Sequence, residues 1–143
     1  MRITGVRGRR VWDSRGRPTV ETEITLEDGS IGRAIAPAGA SVGSFEAPEL
    51  RDGGEAFGGQ DVQQAIANVN GELAACLTGL DATDQRVVDQ AMIDRDGTPN
   101  KSRLGANALV ATSLANLWAC ANAERVPLWR YLAGDGPARL PRN

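Results

Sequence analysis

Gly39-x-Ser41-x-Gly43 sets one hydroxyl between two glycines, inside a small-residue loop from Pro37 to Phe45. Taken literally, the spacing matches a nucleophile elbow, which holds a serine on a sharp turn between a strand and a helix. The chain has no histidine, and without that base a serine of this kind is not an acyl-transfer nucleophile. A different use of the loop survives. Pro37 fixes its own φ, while Gly39 and Gly43 open backbone geometries that a Cβ forbids, so the segment can approach a ligand closely. A connection of this length with no apolar anchor reads as a lid or a binding loop, against the alternative of a plain surface loop.

The other reactive side chains point nowhere specific. Lys101 is the single lysine against fifteen arginines, which leaves little room for a Schiff base or a lysine general base. Cys76 and Cys120 lack a C-x-x-C spacing and sit inside helical apolar patterns, so both are expected as reduced thiols. Gly53-Gly54 and Gly58-Gly59 are not followed by the Gly-Lys-Ser/Thr of a phosphate-cradling loop. Asp94-Arg95-Asp96-Gly97 begins like a calcium loop, but Thr98-Pro99 follows and no glutamate closes twelve residues, so a plain turn is expected. The net charge is −2 and the basic residues cluster only at Arg7-Gly8-Arg9-Arg10, which argues against a nucleic-acid partner. No stretch reaches 18 apolar residues, and Met1 leads straight into a strand pattern, so no membrane partner is expected and the cytoplasm is the expected location.

The elements that must carry the Ser41 loop are legible. At 143 residues, 41% hydrophobic and 24% charged, the chain has the size and composition of one soluble domain. Ile3 to Trp12 predicts a first strand, closed by the turn formers Asp13 to Pro18. From Thr19 to Glu27 the alternation is strict, with Val20, Thr22, Ile24 and Leu26 on one face. Asp28-Gly29 predicts a hairpin into a third strand, Ile31 to Ala36, which delivers the chain to the loop.

The period then becomes helical. Val62, Ile66, Val69 and Leu73 share a face over Asp61 to Leu77, interrupted at Asn70-Gly71, so a broken helix or two short ones are expected. Asp81 to Asp84 offers caps for a helix to about Asp94, with Val88, Ala91 and Met92 inward. Leu104 to Ala123 predicts a long helix apolar on most sides, and Pro127 starts a last one through Leu132. Three strands followed by helices predict an α+β fold: a three-stranded antiparallel meander backed by a helical layer, over residues 1–137. Residues 138–143 read as the start of a linker.

Four segments together resemble one family: Asp13-Ser14-Arg15-Gly16-x-Pro18-Thr19-Val20-Glu21; Ala36-Pro37-x-Gly39-Ala40-Ser41-x-Gly43 with Glu46-Ala47 and Glu49-Leu50-Arg51-Asp52; Asp94-x-Asp96-Gly97-Thr98 with Asn100-Lys101; and Gly105-Ala106-Asn107-Ala108-Leu109 with Ser113-Leu114-Ala115. They are similar to the amino-terminal domain of enolase (phosphopyruvate hydratase), over about Arg2 to Pro141. The resemblance implies the Mg²⁺-dependent interconversion of 2-phosphoglycerate and phosphoenolpyruvate. It also implies Ser41 as a metal ligand through hydroxyl and carbonyl oxygens, Gly39 and Ala40 against the substrate, and Arg9 and Glu21 at a dimer interface. A homo-oligomer is expected on the same ground.

This sequence departs from the family pattern in two ways. Ala38 replaces a serine and Val42 a threonine, and Phe45 stands where a polar residue is usual, so the loop has lost hydroxyls beside its ligand. The family's lysine base, acidic catalysts and metal carboxylates belong to a following (β/α)₈ barrel, and Leu140-Pro141-Arg142-Asn143 stops where that barrel should begin. The chain alone is therefore expected to be inactive and to need an enolase barrel domain or subunit. Two alternatives stand beside this: an enolase-like part acting on another phospho- or phosphono-carboxylate, and a non-catalytic interaction module.

Overall fold

A computed structural model of the chain describes residues 1–39, 41–134 and 136–137. Its sheet holds β1 (Ile3–Trp12), β2 (Pro18–Leu26) and β3 (Ile31–Ile35) in the order β1-β2-β3, with both pairings antiparallel. The alternation of β2 decides which face is inside. Val20, Thr22, Ile24 and Leu26 are buried, while Glu21, Glu23 and Thr25 are half-buried on the opposite face. Thr22 keeps its hydroxyl satisfied in the core by meeting the Thr112 hydroxyl at 3.2 Å. In the hairpin, the Asp28 carboxylate accepts from the Ser30 N–H at 2.8 Å and the Ser30 hydroxyl at 2.9 Å, the local bond that makes Asp-Gly a turn former.

The helical layer packs on that inner face: α1 (Gln63–Asn68), α2 (Ala74–Leu77), α3 (Gln85–Asp96), α4 (Ala106–Ala123) and α5 (Leu128–Ala133). The expected break at Asn70-Gly71 does not occur. A π turn over Val69–Leu73 carries α1 into α2 without interruption, keeping Val69, Leu73 and Leu77 fully buried. Asn70 explains the widened turn. Its side chain accepts from the Gly8 N–H at 2.8 Å and donates to the Gly8 carbonyl at 3.0 Å, completing the outer edge of β1. A Cβ at Gly8 would lie 2.8 Å from Val69 Cβ, so only glycine admits the helix this close.

The Asp94 to Gly97 segment is more than a plain turn. Helix α3 runs two residues past the expected end to Asp96, and Gly97 caps it in the left-handed conformation. Asp96 is buried, and its carboxylate accepts from the Leu104 N–H at 2.7 Å, the Thr98 N–H at 3.0 Å and the Thr98 hydroxyl. The 97–104 loop is built around this one anion. Burial opposes its charge, but the bonds from Leu104 and Thr98 outweigh burial and hold the carboxyl below its ordinary pKa.

Helix α4 begins at Ala106 rather than Leu104, because the Leu104 N–H is committed to Asp96. Its alanines Ala108, Ala111, Ala115 and Ala119 are fully buried and let it lie against the sheet. Gly32 of β3 is the closest point: a Cβ there would stand 2.1 Å from the Ala115 carbonyl oxygen and from the Ala119 nitrogen. Asn122 donates to the Ile31 carbonyl at 2.7 Å. Cys76 and Cys120 are both free thiols. Among the described residues no helix is long and apolar enough to cross a membrane.

Candidate functional site

The chain enters the Ser41 loop from a firmly tied point. After β3, the Ala36 N–H bonds to the Val20 carbonyl at 3.1 Å, and the buried Thr19 hydroxyl donates to the Ala36 carbonyl at 2.5 Å. Thr19 thus ends the sheet with a side chain where a fourth strand would supply a backbone. Pro37 follows, and the loop departs.

Arg15 reaches the loop from the β1–β2 turn. Asp13 shapes that turn by accepting from the N–H groups of Arg15 and Arg17, both at 2.8 Å. The Arg15 guanidinium then donates to the Ala38 carbonyl at 2.5 Å and the Gly39 carbonyl at 3.3 Å. Ala40 lies outside the described residues. Ser41 is exposed, and beyond it the loop returns through Gly43, whose N–H donates to Glu46 Oε2 at 2.9 Å. Val42 and Phe45 at the tip are 83% and 104% exposed.

The returning strand of chain is tied more heavily still. The Asn107 side chain pairs with Leu50 as another strand would, accepting from its N–H at 3.1 Å and donating to its carbonyl at 3.0 Å. Arg51 pairs with Glu49 at 2.7 Å and donates to the carbonyls of Pro18 at 2.6 Å and Gln60 at 2.8 Å. Asp52 caps α1 by accepting from the N–H groups of Gln63 at 2.6 Å and Gln64 at 2.9 Å. The family-like segment Glu49-Leu50-Arg51-Asp52 is therefore architectural. It fixes the far end of the loop.

Ser41, Gly39 and Val42 share a hollow of about 250 Å³ with Glu46, Ala47 and Glu49. The serine offers hard oxygen, which suits Mg²⁺. Glu46 is engaged with Gly43 and Glu49 with Arg51, and among the described residues no three Asp, Glu, Cys or His side chains gather as a metal site. The donor set fits one ligand of a metal centre completed by other residues. It does not make a centre by itself.

Arg9 and Glu21 stand apart from the loop, opposite each other in the β1–β2 register. They form an ion pair on the outer face of the sheet, with the Glu21 oxygen in contact with Arg9 but not aligned as a hydrogen bond. Arg15, Glu46 and Asn107 are the residues that sequence reasoning left without a role. Arg15 and Asn107 lay inside the motifs, but no spacing tells that one reaches Ala38 and the other Leu50.

Comparison with known proteins agrees with the geometry. The model of the family "Enolase, N-terminal domain" matches residues 3–132. "Enolase 1" of Desulfitobacterium hafniense (strain Y51) is 54% identical over 140 residues, covering 98% of this chain and 32% of the relative. The enolase of Methanopyrus kandleri is 53% identical over 140 residues, covering 98% of this chain and 33% of its own length. The chain thus spans about a third of the length of the curated relatives it matches. On the family match and these identities, the chain belongs to the enolase N-terminal domain family.

Proposed function

We propose that the chain is the lid part of an enolase-type lyase, interconverting 2-phosphoglycerate and phosphoenolpyruvate once joined to the barrel that supplies base and metal carboxylates. The observation that carries the reading is the Ser41 loop, an exposed oxygen donor slung between two anchored ends in a chain of this family. Bound Mg²⁺ would neutralise the substrate carboxylate as a proton leaves the neighbouring carbon. Ser41 would offer its hydroxyl and carbonyl oxygens to that metal. Gly39 and Ala40 would lie along the substrate, and closure of the loop would exclude water. Arg9 and Glu21 would take part in contacts with a second subunit, giving up their mutual pair to do so.

Val42 and Phe45 favour one variation. Their side chains are the exposed tip of the loop, so they would meet whatever surface the lid closes on, and a changed tip can accompany a related phospho- or phosphono-carboxylate as substrate.

The test is a chimera in which this chain replaces the first third of the Desulfitobacterium enolase. Mg²⁺-dependent formation of phosphoenolpyruvate by the chimera, with none from the 143-residue chain alone, is the expected result. Turnover by the isolated chain, or a folded chimera inactive on 2-phosphoglycerate, would overturn the reading.

A further inference from the structure

Helix α4 carries an apolar stripe that the domain does not use. Val110, Leu114 and Trp118 recur every fourth residue on one face and are 47%, 38% and 41% exposed. Across a groove from them, Ile31 and Ile35 of β3 are 41% and 40% exposed on the outer side of the strand. The five side chains line two hollows end to end. One, of about 490 Å³, lies between Ile31 and Trp118, and the other, of about 400 Å³, lies between Ile35 and the pair Val110 and Leu114. Arg33, in the middle of the strand, is neutralised by Glu23 at 2.5 Å and leaves the strip without net charge. Single exposed apolar residues are ordinary, but a contiguous row along a helix and a strand marks a contact surface.

The strip starts where the Ser41 loop starts. The second hollow is closed by Ala36, Pro37, Glu46 and Ala47, the residues at the two feet of the loop. Any body that completes a metal centre at Ser41 must come up against these feet, and the apolar surface next to them is this strip. A second copy of the chain would bring no such centre, since among the described residues no cluster of metal-ligating side chains exists. We infer that the Val110-Leu114-Trp118 face of α4, with Ile31 and Ile35, is the seat of the polypeptide corresponding to the remaining two-thirds of the enolase relatives, joined in the same chain or supplied separately. The inference rests on the lid reading above and adds the surface on which the lid is mounted.

Cysteine labelling tests it on the isolated chain and on the same chimera, read peptide by peptide by mass spectrometry. Leu114→Cys should label with maleimide at least about tenfold more slowly in the chimera than in the isolated chain, because the centre of an interface is closed to solvent. Val87→Cys on α3, 47% exposed and away from the strip, should label equally in both. An active chimera in which Leu114→Cys labels as fast as in the chain overturns the inference and leaves the function standing. A folded, inactive chimera with Leu114→Cys protected keeps the docking surface and overturns the enolase reading. Protection that grows with concentration of the isolated chain would make a second copy the occupant and overturn the inference.

A second measurement does not need the chimera to fold. Leu114→Glu with Trp118→Glu should leave the unfolding temperature of the isolated chain within about 2 °C, as substitutions on an open surface do. A fall of more than about 5 °C would place the strip in this domain's own core and overturn the inference.

Discussion

Arg15 holds the Ala38 carbonyl at 2.5 Å from a turn 23 residues away, so the Ser41 loop is fastened to the β1–β2 turn rather than to its own flanks alone. Charge-assisted bonds of this kind exceed neutral ones, though exposure reduces them to about 1 kcal/mol, or roughly fivefold in the open population. Arg15→Ala should therefore raise the rate of chymotryptic cleavage after Phe45 by roughly fivefold. Arg15→Lys should raise it less. The unfolding temperature should stay within about 2 °C of the parent, which separates a loosened loop from a loosened domain. Unchanged cleavage would show that the loop is held by other means.

Ser41→Ala tests the proposed ligand. In the chimera it should lower kcat at least about tenfold, a loss of about 1.4 kcal/mol in transition-state stabilisation. The Mg²⁺ concentration needed for half-maximal rate should rise with it. The serine is exposed, so melting of the variant should match the parent. A parental rate would mean that the loop does not ligate metal.

The buried Asp96 carboxylate gives the domain an acid-sensitive joint. Its pKa lies below that of an unfolded aspartate because Leu104 and Thr98 bond the anion despite its burial. Stability from this group is therefore present above the unfolded value, about 3.9, and is lost as pH falls through the lower folded value. Asp96→Asn should be less stable at pH 7, and its unfolding temperature should fall less steeply than the parent's below about pH 4. Other lowered carboxylates, among them Asp61 and Asp81, leave a residual slope in both proteins. Parallel pH profiles would remove Asp96 from the account.

Two glycines should respond in opposite directions. Gly32→Ala drives a Cβ to 2.1 Å from the backbone of α4 and should cost about 3 kcal/mol or more, since neither strand nor helix can yield locally. Gly71→Ala, in the π turn with nothing within 4 Å of its added carbon, should stabilise by about 0.5–1 kcal/mol. Denaturant titration of both variants measures the contrast, and equal midpoints would contradict the packing described.

The sheet was legible because period-2 patterning and a strong turn dipeptide act locally. Val20 to Leu26 and Asp28-Gly29 predict the two hairpin strands to within a residue of Pro18–Leu26 and Ile31–Ile35. The Asn70-Gly71 interruption misled for the opposite reason. Asn70 is a poor helix residue whose side chain serves Gly8, 62 positions earlier, and no local pattern carries that distance. Arg9 and Glu21 are a register effect: they look available to a partner until β1 and β2 are aligned and prove to face each other. Ser41 was legible as a special residue from its glycines and its motif. Arg15 was visible only as part of a turn, because the carbonyls it binds belong to a segment whose path no pattern predicts.

Four asparagines join segments that are far apart in the chain: Asn70 to Gly8, Asn107 to Leu50, Asn116 to Ala82 and Asn122 to Ile31, across 62, 57, 34 and 91 residues. Each bond closes only after its two segments have been brought together, so these amides should seal the structure late rather than nucleate it. Kinetically, they act as brakes on opening. Asn107→Ala should speed unfolding in stopped-flow measurements while leaving the refolding rate within about twofold, and slowed refolding with unchanged unfolding would place this bond in the nucleus instead. Half-life against unfolding, more than the rate of folding, is then what these asparagines set.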